Sequence, residues 1–106
     1  MRFVILGEHS PEACPGSSSK VAEAAQQGLG RMEELGKKYR VRLLSGDALM
    51  PGHKLVMIVE AEGLGAVNRF LTEGGLTQWN SVEVFEGMPF QEAMQLTEEL
   101  DTKLIW

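Results

Sequence analysis

The sequence predicts an α+β domain built on an antiparallel sheet, and three observations carry the prediction. Four short runs rich in apolar and β-branched residues read as strands, at Arg2–Gly7, Val41–Leu44, Leu55–Val59 and Ser81–Glu86. Apolar residues recur at helical spacing after the first run, after the third and again after the fourth. At 106 residues the chain has room for one core, so residues 1–106 are expected to form a single domain.

The first strand is Phe3-Val4-Ile5-Leu6, stopped by the polar pair Glu8-His9. At four residues it is about half as long as the hydrophobic part of a secretory leader. Glu8 to Gly16 contain two prolines, a serine and a glycine, which is loop chemistry. Ser17-Ser18-Ser19 then offers hydroxyls to the unpaired amides of a helix start. Val21, Ala25, Met32 and Leu35 form the apolar stripe of a long helix, filled in by Ala24, Gly28 and Leu29. Gly28 and Gly30 are expected to loosen it, and Lys37, Lys38 and Arg40 suit its negative end. The second strand is expected to stop at Leu44, before the turn residues Ser45-Gly46-Asp47. Pro51-Gly52 predicts a type II turn, since proline presets one dihedral and glycine accepts the positive one. After the third strand, Leu64, Val67, Phe70 and Leu71 mark a short helix between Gly63 and Gly74-Gly75. Val82 and Val84 alternate with Glu83 and Phe85 in the fourth strand. Phe90, Ala93, Met94, Leu96, Leu100 and Leu104 make an extra C-terminal helix that runs into Leu104-Ile105-Trp106.

This βαββαβ order is the split βαβ pattern of ferredoxin-like domains. Two helices cover one face of such a sheet. Strands one and three are nevertheless apolar on both faces, where a wet face would alternate with polar residues. An uncovered apolar face would exceed the few hundred Å² tolerated on monomers. A second copy, packed sheet against sheet, is the expected cover. In this the chain resembles the dimeric α+β barrel superfamily, which shares its element order, length and closing C-terminal segment. Glu8-His9-Ser10-Pro11-Glu12-Ala13-Cys14-Pro15 is also similar to the opening loop of small bacterial members. The resemblance implies a homodimer. It selects no activity, because the superfamily holds cofactor-free monooxygenases, isomerases, haem enzymes and metal-binding proteins.

Composition narrows the partners. Fifteen acidic residues against ten basic ones give a net charge of −5, and no Lys/Arg block is present to neutralise phosphates. Nucleic acid is therefore not an expected partner. No segment approaches the roughly 20 apolar residues of a membrane span, and a single cysteine closes no internal disulfide. The expected setting is cytoplasmic.

The chemistry converges on one edge. In a split βαβ sheet the end of strand one and the start of strand three are neighbours. His9 follows strand one, His53 opens strand three, and Cys14 lies in the loop leaving strand one. Two imidazoles and a thiolate suit zinc or copper, with the fourth position left to water, substrate, Glu8 or Glu12. The plain alternative is two loop-side histidines and a small buried-type side chain. Cys14 also reads as a reactive thiol, supported by the start of the long helix and opposed by the two glutamates. Trp79 and Asn80, beside Gln78, reach the same edge and could orient a small organic ligand. Phe3, Phe70, Phe85, Met57 and Met88 read either as core or as the lining of a sheet–helix cavity. The expected function is a small homodimer binding a small ligand or metal at the His9/Cys14/His53 edge. A cofactor-independent monooxygenase or isomerase with His9 or His53 as proton shuttle is the enzymatic alternative. A structural or regulatory module docking through Trp106 is the third. The catalytic residues, if any, are not legible.

Overall fold

The computed structural model describes residues 1–100. The chain runs β1 (Arg2–Glu8), α1 (Ser19–Tyr39), β2 (Arg42–Leu49), β3 (Lys54–Glu60), α2 (Leu64–Glu73), β4 (Ser81–Gly87) and α3 (Phe90–Glu99). Single 3₁₀ turns at Pro11–Ala13 and Leu76–Gln78 punctuate two of the connections. The four strands form one antiparallel sheet in the order β2-β3-β1-β4. No described helix is long and apolar enough to cross a membrane. The expected helical positions Leu104 and Trp106 lie outside the described residues.

Register explains which side of each strand is buried. Phe3 and Ile5 of β1 stand opposite Val59 and Met57 of β3, and all four are buried with Val67, Phe70 and Leu71 of α2. Val82 and Val84 of β4 pack against the same core. The alternate residues, Val4, Leu6, Val56, Ile58 and Phe85, fall on the opposite face, because side-chain direction reverses at every strand residue. The two-sided apolar character of β1 and β3 is therefore divided between a helix-covered face and an open one.

α1 starts where the serines predict: Ser18 Oγ accepts the Val21 N–H at 3.3 Å. Its inward stripe runs through Val21, Ala25, Gly28, Met32, Leu35 and Tyr39, with Leu35 buried and the others partly so, but Leu29 is 67% exposed, outside the stripe to which it was expected to belong. The two glycines do not interrupt the helix. A β-carbon at Gly28 would come within 2.6 Å of the Gly74 carbonyl oxygen, so this glycine lets α1 and α2 approach closely. At Gly30 no atom lies within 4 Å of the same position.

Three local expectations are corrected. β2 runs on to Leu49 instead of stopping at Leu44, with an irregularity between Leu43 and Ser45. The extra residue of the bulge is Leu44, and beyond it Ser45, Gly46 and Asp47 pair with Ile58, Met57 and Val56, so β3 holds the turn-prone stretch in strand form. The β2–β3 connection is not type II, because Gly75 is the only described glycine with positive φ. β2 and β3 reach Leu49 and Lys54, and the four residues between them turn without a left-handed Gly52. The aromatic and methionine set also divides differently from a cavity lining. Phe3 and Phe70 are core, while Phe85 and Met88 are about half exposed. Met57 also borders the space between α1 and the sheet, Phe70 a cleft at the end of α1, and Met88 a cleft beside β4.

Candidate metal centre

The site grows out of strand register. β1 pairs with β3 up to Glu8↔Lys54 and with β4 up to Glu8↔Ser81. One residue further, His9 donates its backbone N–H to the His53 carbonyl at 3.0 Å, and Nδ1 of its ring lies 2.8 Å from Asn80 Oδ1. His9 thus stands at the end of a central strand with His53 on one side and Asn80 on the other. All three continue the helix-facing parity, as the sequels of Phe3-Ile5-Gly7, Val59-Met57-Leu55 and Val84-Val82. The His9 and His53 rings meet edge to face at 5.6 Å between centroids. Trp79 lies against His9 at 5.1 Å, its ring tilted by 52°.

Cys14 is delivered by a braced loop. Ser10 caps the Pro11–Ala13 turn by accepting the Ala13 N–H, and the Ser17 hydroxyl donates to the Pro11 carbonyl. The Cys14 carbonyl in turn accepts from the amides of Ser17 and Ser18. The result places ligand atoms of His9, Cys14 and His53 all within 4.8 Å of one another, with each residue partly buried. The amide that reaches the Cys14 sulfur is that of Gly16, at 3.4 Å. α1 begins at Ser19, five residues after Cys14, where the serines placed it.

Two features separate this cluster from an ordinary polar edge. Nδ1 of His53 is out of contact with solvent and has no hydrogen-bond partner, a costly state for a polar atom unless something else satisfies it. Asn80, only 7% exposed, is committed on both ends of its amide: Nδ2 donates to the Leu76 carbonyl at 3.2 Å while Oδ1 faces His9. It borders the cleft, as expected, and also holds a histidine.

A cleft of about 680 Å³ opens over the two histidines, bordered by His9, His53, Gln78, Trp79, Asn80 and Glu8 but not by Cys14. Glu8 borders the cleft, but no carboxylate belongs to the three-residue group. Behind Trp79 lies a second space of about 700 Å³ between α1 and the β2–β3 side of the sheet. Its apolar walls include Ala25, Leu29, Met32, Met57 and Leu76. It exists because no residue of β2 is buried, leaving that side of the sheet incompletely covered.

Gly7 is the contributor that sequence reading passed over. A β-carbon there would lie 2.9 Å from Leu55 Cγ and 3.3 Å from Asn80 Oδ1. The bare backbone clears the path by which Asn80 reaches His9. The signal was present as period-two parity, with Gly7 one inward step before His9. Among protein families and curated proteins, none matches this chain.

Proposed function

We propose that the protein is a ferredoxin-like homodimer that binds zinc or copper through His9, Cys14 and His53 and uses the open coordination position to hold a small ligand. The observation that carries this reading is the approach of three ligand atoms, from segments up to 44 positions apart in sequence, to within 4.8 Å of one another. In a tetrahedral site with ordinary metal–nitrogen and metal–sulfur bonds, such atoms are about 3.3–3.7 Å apart. A contraction of about 1 Å therefore separates the cluster from a coordinating geometry. The unsatisfied His53 nitrogen and the partnered His9 nitrogen add support. Metal-bound imidazoles typically donate their second N–H to an oxygen outside the coordination sphere. Three protein ligands with a fourth position left open is the arrangement of metals that bind substrate or water.

Support for the ferredoxin-like reading comes from the element order and the β2-β3-β1-β4 sheet. The likeness to the dimeric α+β barrel superfamily belongs with it. Support for the homodimer comes from the open face bearing Val4, Leu6, Val56, Ile58 and Phe85. A cytoplasmic setting agrees with a reduced, metal-binding Cys14.

Zinc titration of metal-free protein lacking a histidine tag tests the reading. One ion per chain is expected, with Cys14→Ser and His53→Ala each weakening binding by about tenfold or more. No stoichiometric binding, or unchanged affinity in both variants, would refute it. A second reading, a cofactor-independent monooxygenase or isomerase, is favoured by the apolar space behind Trp79. It requires activity that persists after exhaustive chelation.

A further inference from the structure

We propose that Asn80 is a positioning residue that holds His9 in the tautomer with the proton on Nδ1, so that Nε2 is the atom left to bind the metal. The inference rests on the metal reading for its consequence but not for its geometry. Asn80 Oδ1 lies 2.8 Å from His9 Nδ1. An amide can be turned end for end, and in the reversed orientation its NH₂ would instead require an unprotonated Nδ1. The other end decides. Its partner is the Leu76 carbonyl, 3.2 Å away, which can only accept. The NH₂ must therefore face Leu76, the oxygen must face His9, and the ring must supply the proton at Nδ1.

The arrangement is held firmly. Asn80 is buried at 7% exposure, its backbone N–H also donates to the Leu76 carbonyl at 3.1 Å, and Gly7 leaves the space its oxygen occupies. Trp79 lies against the His9 ring at 5.1 Å between centroids, tilted by 52°. A neutral imidazole in water favours the proton on Nε2, which would block that nitrogen as a ligand. Asn80 reverses the preference before any metal arrives.

The tautomer is read directly from long-range ¹H–¹⁵N correlation spectra of metal-free protein, at a pH above the imidazole titration range. Wild type is expected to show His9 protonated at Nδ1 and unprotonated at Nε2. Asn80→Leu, which cannot accept the bond, should move His9 toward Nε2–H and weaken zinc binding by about 10–100-fold. Asn80→Asp keeps an acceptor for His9 while giving up the bond to Leu76, and should retain the tautomer at a cost in stability. Wild-type His9 carrying its proton on Nε2 would overturn the assignment, with no variant needed. So would an Asn80→Leu protein that folds and keeps wild-type tautomer and affinity. If the wild-type tautomer is as stated and zinc does not bind, the metal reading fails while the role of Asn80 stands.

Discussion

Glu73 shows how a single side chain ties the helices together. Its carboxylate accepts from Lys38 Nζ at 2.8 Å, and Arg31 Nη2 stands 4.0 Å from the other oxygen. The hydrogen bond from Lys38 holds the Glu73 carboxyl below its ordinary value, and the same bond raises Lys38. A lowered carboxyl contributes stability that is present above the ordinary carboxylate range and is lost as pH falls through the lowered value. A raised lysine contributes stability that is lost only as pH rises through its own raised value. Both contributions are therefore present at neutrality. Thermal melts should show Glu73→Gln less stable than wild type at neutral pH, the gap closing in acid. High salt should shrink the neutral gap, since Lys38 is half exposed. A gap that is the same at acid and neutral pH would show that the ion pair is not its source.

Among the elements, α1 offers the sharpest contrast, because its two glycines look alike in sequence and differ in surroundings. Gly28→Ala drives a methyl toward the Gly74 carbonyl and is expected to destabilise by about 1–3 kcal/mol. Gly30→Ala meets nothing and should stabilise by about 0.5–1 kcal/mol, because alanine loses less backbone entropy in a helix. Denaturant melts of the two variants check the pair; equal and like-signed changes would contradict the α1–α2 close approach. Sequence alone showed the glycines but not which one faces a neighbour, since Gly74 comes from a different helix. The same division holds elsewhere. Strand identities, the Ser18 cap and the Gly74-Gly75 stop were legible because local chemistry decides them. The continuation of β2 through Ser45-Gly46-Asp47 was not, because β3 pairing overrides the local turn preference. The bulge next to Leu43 is a tertiary consequence with no local signature.

For the whole molecule, the apolar pattern of β1 and β3 marked both faces of the sheet as apolar, while the parity facing away from the helices needed register to resolve. Ile58, opposite Val4 and Ser45, belongs to the open face, as do Val56 and Phe85. The protein is expected to sediment as a dimer at micromolar concentration, and Ile58→Lys to convert it to monomer or aggregate. A wild-type monomer would contradict sheet-to-sheet assembly. The candidate centre was legible in outline for the same topological reason. Adjacent antiparallel strands bring His9 beside His53 whatever the details of packing. What pattern alone could not supply was the division of labour: Asn80 as a holder of His9, and Gly16 as the donor to the Cys14 sulfur. Both depend on side-chain placement in loops and turns, where no periodicity operates.

Cobalt binding tests the centre most directly, because a cobalt–thiolate bond announces itself by a charge-transfer absorption band in the near ultraviolet. Metal-free protein titrated with Co²⁺ should develop that band, saturating at one ion per chain, with visible bands of four-coordinate geometry and loss of both in Cys14→Ser. A titration that leaves the spectrum that of hexaaqua cobalt, or bands that persist without the cysteine, would contradict a site built on His9, Cys14 and His53.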